Sequence, residues 1–414
     1  MQNIKNLLPL VVLLFSYNFV AAQKSETLIN KPPGYVVEIE AIDYAFKMPS
    51  EIKSGWVTFK FKNTGHEMHF GMLLKFNDSV SEEDFYSFSV DPNKETFQKY
   101  IKEPPVLVGG PGFHAGGQKS ETTMYLEPGN YAMLCNTRTP DGIMHRKLGM
   151  RKYFKISEEM AEAKEPPADV QLDLKQHFIN ADGKLTAGRN TVAIEHIGGD
   201  TFDVHLVKLN DTSTISETLR FMETFQEPTQ ALFSGGAEQK SVERKTYVTI
   251  DFEPGQYAWV SHEYGAMGML KKFTIPEDGS SVAFDRMVNR VFREVPIVTG
   301  QNSISIADSL KKGPIKLVHK NPSAEHNIGI GRLEEDKTFG DYMDYIEKVI
   351  ESNRQNLPVE VENPRTGYKI YFDEREELKF HLRPGNYVLF CEHKNSEGEI
   401  TPLDKEEIVS FKVY

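Results

Sequence analysis

The chain has 414 residues, of which 39% are hydrophobic and 26% charged, a composition that is typical of globular proteins and excludes a disordered chain. Its formal net charge is -12 and no run of Lys and Arg indicates a basic surface, so we expect no nucleic acid among its partners. The length favours two to four domains.

The N-terminus has the pattern of a secretory signal peptide. Lys5 precedes an apolar run from Leu7 to Val20, and the small residues Ala21 and Ala22 follow. We expect cleavage after residue 22, which makes residues 1–22 a signal peptide and the mature protein exported, either periplasmic or secreted. A membrane anchor is the alternative, but the run is short and is interrupted at 16–18. We expect no transmembrane segment in the mature chain.

Short runs rich in Val, Tyr, Phe and Ile, bounded by Gly, Pro and Asn, predict strands throughout the remaining chain. The first strands are predicted at Trp56–Lys62 and Phe70–Phe76, and an acidic, helix-like insert follows at 81–100. The signature Tyr125-Leu-Glu-Pro-Gly-Asn-Tyr131 then predicts a tight turn before a buried strand. We expect the Tyr131 hydroxyl to return to the backbone near this turn, as in the tyrosine corner of Greek-key sandwiches.

Four residues around this strand have the chemistry of a metal site. Cys135 ends the strand, His145 and Met150 follow on the next loop, and His69 opens the upstream strand. A thiolate and two imidazoles in a plane, with a weak axial thioether, form the electron-transfer copper site, whereas a Met ligand argues against a dedicated zinc site. The alternative is a scaffold without copper, in which Cys135 is a core thiol.

Three other features of this first stretch bear on the site. His66 competes with His69 for the upstream ligand position, and we prefer His69 because it lies at the start of the strand. We expect His66 and His114 to be exposed, and His145 to form the exposed edge of the site. A strand at Lys152–Ile156 closes the unit.

The framework of this stretch recurs twice along the chain. The signature returns at Asp251–Tyr257 and at His381–Tyr387, each time after two predicted strands and a helix-like insert. The upstream strands are predicted at Thr191–His196, His205–Leu209, Ile315–Lys320 and Ile328–Leu333, and the inserts at 213–225 and 339–353. Polar, Pro-bearing stretches at 158–168 and 276–281 separate the copies. We therefore predict an all-β chain of three tandem Greek-key β-sandwich domains, each with a short helical insert, at residues 32–158, 168–276 and 290–414.

The ligand set is complete only in the first copy. In the second, Phe202 and Tyr264 replace the two histidines, Ser261 replaces the cysteine, and only Met269 remains. In the third, His326 and Cys391 align with the first histidine and the cysteine. The other two positions of the third copy fall on Thr401 or Pro402 and on Glu406 or Glu407. The pattern predicts one copper site per chain, with Cys391 a buried small side chain and no disulfide between Cys135 and Cys391.

The first copy resembles the cupredoxins, specifically exported bacterial cupredoxin-like domains. The resemblance covers residues 32–158 and is carried by these matching motifs: Gly109-Gly110-Pro111, Pro128-Gly129-Asn130-Tyr131, Cys135, Pro140-Asp141-Gly142, His145 and Gly149-Met150, with His69 upstream. It implies a Greek-key sandwich with one type 1 (blue) copper held by His69, Cys135, His145 and Met150. The second and third copies match in framework only.

The same motifs favour an electron carrier over an oxidase. Leu134 and Asn136 flank Cys135 and no His-x-His pair occurs, so the extra copper ligands of an oxidase are not expected. We expect single-electron exchange with an exported redox partner that the sequence does not identify. A copper carrier, or a metal-free binding or structural protein of the cell envelope, is the alternative.

Overall fold

The computed structural model describes residues 34–90, 104–175, 177–197, 202–210, 213–225, 229–238, 244–284, 291–300, 303–320, 326–354, 364–373, 378–393 and 407–414. The predicted signal peptide at 1–22 lies outside these residues.

The described chain consists mostly of β-strands, which confirms the all-β expectation and is consistent with a cupredoxin-like fold. In the first third of the chain the strands are β1 (Tyr35–Ile42), β2 (Ala45–Lys47), β3 (Glu51–Asn63), β4 (Met72–Phe76), β5 (Val106–Gly109), β6 (Lys119–Leu126), β7 (Gly129–Leu134) and β8 (Arg151–Met160). They are followed by β9 (Val170–Lys175), β10 (Phe178–Leu185), β11 (Gly188–His196), β12 (Val204–Leu209), β13 (Leu232–Ala237), β14 (Thr246–Phe252), β15 (Gly255–Val260), β16 (Leu270–Ile275) and β17 (Val282–Phe284). The remaining strands are β18 (Arg293–Gly300), β19 (Ser303–Ser305), β20 (Ser309–Leu310), β21 (Gly313–Lys320), β22 (His326–Leu333), β23 (Arg365–Asp373), β24 (Leu378–Leu382), β25 (Gly385–His393) and β26 (Ile408–Val413).

The described residues include four helices, the longest of which has 16 residues. They are α1 (Glu82–Val90), α2 (His145–Leu148), α3 (Ile215–Thr224) and α4 (Phe339–Arg354). Three of them, α1, α3 and α4, lie in the predicted inserts, while α2 belongs to the loop after Cys135. In the part of the chain that the structure describes, no helix has the length and apolar character needed to cross a bilayer.

The first sandwich is built around the long strand β3, which contributes to two layers. Residues 51–54 of β3 pair with β8, and residues 55–62 pair with β6. The layer β8-β7-β4-β5 therefore faces the layer of β1, β3 and β6. Phe59 and Phe61 from β3 pack with Tyr131 and Met133 from β7 in the core between them, because alternate residues of a strand point to the same face.

The later strands form two further pairs of layers. The sheet portion β17-β10-β9-β11-β14 faces the sheet β13-β12-β15-β16, and Trp259 and Phe273 are buried between them. The sheet β19-β18-β21-β24 faces the sheet β20-β26-β25-β22-β23, with Phe380 and Leu389 in the core between them. Burial of these large apolar side chains supplies the main stabilising free energy of each core.

The three Pro-Gly-x-Tyr signatures adopt one geometry. The hydroxyls of Tyr131, Tyr257 and Tyr387 each donate to a backbone carbonyl four residues earlier, at 2.8, 2.9 and 2.8 Å. This is the bond that the sequence predicts, and it joins the start of each strand to the turn before it.

One continuous sheet runs through the first and second copies, because β14 pairs with β6. A second junction lies close to His114. The amide of Gly112 donates to the Gly236 carbonyl at 3.0 Å, and the amide of Gly235 donates to the Phe113 carbonyl at 2.8 Å. A Cβ on Gly112 would lie 2.8 Å from the Gly236 carbonyl carbon, so the close approach of the two backbones requires glycine.

Candidate metal centre

Three predicted ligands converge at one end of the first core. Cys135 directly follows β7, and His145 is the first residue of α2. His69 forms an isolated bridge with His114, in which the two residues exchange backbone hydrogen bonds of 3.0 and 2.8 Å. The residues 69, 135 and 145 are each 0% exposed.

The spacing of the three donor atoms fits a single metal ion. The Nδ1 atoms of His69 and His145 lie 3.2 Å apart, and Cys135 Sγ lies 3.9 and 3.7 Å from them. A metal with bonds of about 2.0–2.1 Å to nitrogen and about 2.3 Å to sulfur in a plane separates its ligands by about 3.5 Å between nitrogens and about 3.8 Å between nitrogen and sulfur. The triangle of donor atoms therefore has the dimensions of a coordination site.

Two carboxylates set the tautomers of the imidazoles. His69 Nε2 lies 2.6 Å from Asp43 Oδ1, and His145 Nε2 lies 2.7 Å from Glu67 Oε2. Burial disfavours the Asp43 carboxylate, but hydrogen bonds from the backbone of His66 and from His69 outweigh it and hold the pKa of Asp43 at about 2. An ionised carboxylate only accepts, so Nε2 of His69 carries the hydrogen.

Both imidazoles are neutral near pH 7. Burial lowers the pKa of His69 to about 4, and burial also lowers the pKa of His145. With the hydrogen on Nε2, each Nδ1 presents a bare lone pair toward the other at 3.2 Å. Two facing lone pairs repel each other, and a bound cation relieves that repulsion.

Thr137 completes the inner surface of the site. Its Oγ1 lies 2.9 Å from Cys135 Sγ, 2.7 Å from His145 Nδ1 and 3.0 Å from the Met68 carbonyl oxygen. Burial raises the pKa of Cys135 to about 11, so the metal-free thiol keeps its hydrogen near pH 7. The Thr137 and Cys135 hydrogens together face three acceptors, namely both Nδ1 atoms and the Met68 carbonyl. Such an excess of lone pairs over hydrogens suits the binding of a cation. Metal binding there would displace the thiol proton.

The long segment between Cys135 and His145 folds into a compact hairpin. The amide of Thr139 donates to the Ile143 carbonyl at 2.9 Å, and the amide of His145 donates to the Thr137 carbonyl at 2.9 Å. The amide of Arg146 then donates to the Cys135 carbonyl at 2.9 Å. The hairpin brings the two ends of this segment together, so that His145 lies next to the cysteine.

Met150 lies where the next strand begins. Its amide donates to the His145 carbonyl at 3.0 Å, and its carbonyl accepts from the Cys135 amide at 3.1 Å. Its side chain is 0% exposed and belongs to the same core cluster as Cys135. The backbone thus ties Met150 directly to two of the three converging residues.

Two expectations about exposure are wrong. His145 is buried rather than exposed, because the Tyr44 ring packs edge-on against its imidazole with centroids 4.9 Å apart and Glu67 covers Nε2. His114 is also buried: its Nδ1 donates to the Gly112 carbonyl at 2.7 Å and its Nε2 lies 2.8 Å from Ser120 Oγ. The outer edge of the site is therefore Glu67, which lines a cleft of about 420 Å³ beside α3.

The structure separates the two candidate upstream histidines. The His66 side chain is 98% exposed and contacts Asp43, while His69 reaches Cys135. The bridge to His114 fixes the backbone of His69 in this position, while His66 lies on an exposed turn.

The second copy keeps the backbone of the site without its ligands. The amide of Ser261 donates to the Met269 carbonyl at 3.1 Å, and the amide of Met269 donates to the Tyr264 carbonyl at 3.0 Å. These two bonds match those of Cys135, His145 and Met150 in the first copy. The Phe202 and Tyr264 rings pack 5.4 Å apart, so aromatic side chains fill the place of the imidazoles.

In the third copy, the structure describes the side chains of Cys391 and Glu407 among the aligned positions. Cys391 lies on β25 opposite Ile328 and is 1% exposed, and it forms no disulfide with Cys135. The side chains of His326 and His393 and the whole of 401–406 lie outside the described residues, while Glu407 is buried.

A second group of buried titratable side chains lies between the first two copies. His205 Nε2 is 2.9 Å from Asp203 Oδ2, and His205 Nδ1 accepts from the Phe113 amide at 3.2 Å. Since Nδ1 accepts, Nε2 carries the hydrogen, and the neutral ring has no further lone pair for a metal. His205 therefore has the bonding of a structural histidine.

Sequence reasoning missed Asp43, Tyr44, Glu67 and Thr137. Glu67 and Thr137 lie two residues from His69 and Cys135, so proximity in sequence was a usable signal for them. Asp43 and Tyr44 lie on the turn between β1 and β2, where no motif marks them.

Comparisons with known proteins give copper proteins among the structural neighbours. No family model matches the chain, and no curated protein matches it by sequence. Reduced auracyanin from Roseiflexus castenholzii is 18% identical with a TM-score of 0.21, covering 30% of this chain and 98% of that one. Auracyanin A, a blue copper protein from Chloroflexus aurantiacus, is 19% identical with a TM-score of 0.20, covering 30% of this chain and 98% of that one. The Cu-containing nitrite reductase of Thermus scotoductus is 11% identical with a TM-score of 0.18, covering 92% of this chain and 98% of that one. At such scores the assignment of the site rests on its own geometry.

Proposed function

We propose that this protein is a type 1 copper protein that transfers single electrons through one mononuclear site in its first domain, residues 32–158. The observation that carries the proposal is the convergence of a thiol and two bare Nδ1 lone pairs, 3.2–3.9 Å apart, in a buried end of the core. Copper would be held by the imidazoles of His69 and His145, the thiolate of Cys135 and the thioether of Met150.

Copper bound at this site would supply reversible one-electron chemistry. The chain's own residues supply the rest: the buried position excludes water, the loop hairpin and the bridge between His69 and His114 restrict movement of the ligands, and Cys135 joins the site to β7. A site whose ligands move little on a change of charge exchanges electrons with a small reorganisation energy.

The wider proposal places this domain at the head of three Greek-key sandwiches. The second (168–276) and third (290–414) would carry no type 1 copper and would support the first or bind a partner. The chain would be exported after removal of residues 1–22, and its redox partner would be a protein of the same compartment. Amino-terminal sequencing of the mature protein tests the cleavage position.

Copper carriage is the second candidate function, and the burial of His145 favours it. An imidazole that is covered by Tyr44 and Glu67 offers a partner less direct access than an exposed ring does. Stopped-flow mixing with a small one-electron reductant distinguishes the two functions: fast, reversible reduction supports transfer, and tight Cu(I) binding without exchange supports carriage.

The primary test is copper loading of the mature protein. We expect Cu(II) to produce an intense thiolate-to-copper band in the visible spectrum and the EPR signal of a type 1 site. Cys135→Ser removes the thiolate and should abolish the band, while Cys391→Ser, a matched change at the other buried cysteine, should keep it. A wild-type protein that stays colourless would show that the proposal is wrong.

A further inference from the structure

Both imidazoles of the site donate a hydrogen bond to a carboxylate from Nε2, the ring nitrogen that does not face the other ligands. The Nε2–H of His69 donates to Asp43 at 2.6 Å and the Nε2–H of His145 donates to Glu67 at 2.7 Å. The Asp43 and Glu67 side chains are only 22% and 27% exposed, so solvent screens their charges incompletely.

Other residues hold these carboxylates in place. Asp43 Oδ2 accepts from the His66 amide at 3.0 Å, and Glu67 Oε1 accepts from the Tyr44 hydroxyl at 2.9 Å. The turn that carries Asp43 and Tyr44 is thus joined to the loop before His69 at two points. The carboxylates cannot rotate away from the imidazoles without breaking these bonds.

Two effects follow for a metal on the Nδ1 side. An imidazole whose Nε2–H is fixed by a carboxylate keeps the correct tautomer and ring orientation and is a stronger base, and loss of such a partner commonly lowers metal affinity about 10–100-fold. Two negative charges close to the site also stabilise the more positive of two redox states, because Coulomb interactions are strong where screening is weak. Both effects favour Cu(II) over Cu(I).

We propose that Asp43 and Glu67 are positioning residues that orient both imidazoles of the site and bias it toward Cu(II), giving it a lower reduction potential than its four ligands alone would set. This inference rests on the proposed function. It identifies residues that act on the metal through the ligands.

The first test compares charge-neutral variants of the copper-loaded, full-length mature protein. Asp43→Asn and Glu67→Gln keep the side-chain shape and remove one charge each, and Glu38→Gln removes the same charge from an exposed position on β1. We expect each site variant to lower the ratio of Cu(II) affinity to Cu(I) affinity at least tenfold. This change raises the reduction potential by 59 mV or more for one electron. The potential is measured by titration of the visible band against redox mediators. Shifts in Asp43→Asn and Glu67→Gln no larger than that of Glu38→Gln would overturn the inference and leave the copper site itself intact.

The second test reads the histidines without metal. Long-range 1H–15N spectra of the metal-free protein near pH 7 should show both His69 and His145 protonated at Nε2, and Asp43→Ala should mix the tautomers of His69 alone. An Nδ1–H tautomer in the wild type would overturn the positioning role. If the wild type binds no copper at Cys135 but shows both Nε2–H tautomers, the proposed function fails and the positioning of the rings by the carboxylates stands.

Discussion

Each converging side chain of the candidate site has a partner that decides which of its atoms faces inward. Asp43 and Glu67 accept hydrogen bonds from the Nε2–H groups of His69 and His145. Thr137 contacts both the thiol of Cys135 and the imidazole of His145. Each carboxylate is far in the sequence from the imidazole that it contacts, 26 residues for Asp43 and His69 and 78 for Glu67 and His145. Residue type and spacing predict the ligands, but only the fold brings these partners to them.

The Thr137 hydroxyl is predicted to affect both the spectrum of the copper-loaded protein and the stability of the metal-free protein. Thr137→Val removes the hydroxyl that lies 2.9 Å from Cys135 Sγ and donates to the Met68 carbonyl. We expect the thiolate-to-copper band of the loaded protein to shift, and the free energy of unfolding of the metal-free protein to fall by about 1–2 kcal/mol, because a buried acceptor loses its hydrogen. Visible absorption and urea unfolding measure the two effects.

Thr139→Val is the matched control for this change. Thr139 lies on the same loop and is buried, but its hydroxyl oxygen accepts from the Ile143 amide at 3.1 Å instead of facing the thiol. It should lower stability without moving the band. Identical spectra for Thr137→Val and the wild type would contradict the placement of Thr137 at the site.

The strands and turns are the elements that local sequence predicts best. Pro-Gly pairs mark the turns at 128, 254 and 384. Along the predicted strand β21, burial alternates as buried, intermediate, buried from Ile315 to Leu317, which follows the alternation of its side chains. The loop from Cys135 to His145 is the element that sequence describes least well. Its hairpin depends on backbone bonds between residues that carry no strand or helix pattern, such as Thr139 and Ile143.

The tyrosine corner is tested by Tyr131→Phe. The change removes only the hydroxyl that donates to the Glu127 carbonyl at 2.8 Å. Because one buried hydrogen bond is lost, we expect the free energy of unfolding to fall by about 1 kcal/mol while the copper spectrum stays unchanged.

Tyr125→Phe, on the preceding strand β6, is the control, since the Tyr125 side chain is partly exposed. It should cost less than Tyr131→Phe in urea unfolding. A large spectral change in Tyr131→Phe would instead mean that the corner shapes the metal site, against the structural role assigned to it.

In the whole molecule, some contacts between copies lie beside the candidate site of the first copy and its counterpart in the second. The edge strand β13 of the second copy bonds to the segment that carries His114, and His114 in turn bridges to His69. In the second copy, His177 packs against Tyr264 with centroids 4.7 Å apart and hydrogen-bonds the backbone of Lys379 in the third. Each of these contacts joins residues that are distant in sequence, so no local pattern predicts them.

The contact at His177 predicts a pH dependence. Burial lowers the pKa of His177 to about 4 from an ordinary value of 6.5. In the window between these values the unfolded chain binds the proton and the folded chain does not, so stability falls as the pH falls from about 6.5 to about 4. We expect this residue to account for about 2 kcal/mol of the stability lost between about pH 7 and about pH 4.5.

His177→Asn tests this assignment, because Asn tolerates the backbone φ of 61° found there. The quantity to compare is the difference in the free energy of unfolding between the two pH values, which cancels any packing loss common to both. The variant should lose about 2 kcal/mol less than the wild type across the window. Parallel pH profiles for the two proteins would remove His177 as the titrating group.

The amino-acid sequence by itself predicts the strands of the repeated framework, the corner turns and the candidate ligand residues, because these depend on alternation, turn chemistry and side-chain type over short distances. It also locates the replaced ligands of the second copy, Ser261 and Tyr264, whose backbone bonds match those of Cys135 and His145. Only the tertiary structure decides that His69 rather than His66 meets the thiol, that His145 is buried, and that Asp43 and Glu67 fix the imidazoles. Those outcomes depend on long-range contacts, where burial and hydrogen bonding between distant segments outweigh any preference that a residue has locally.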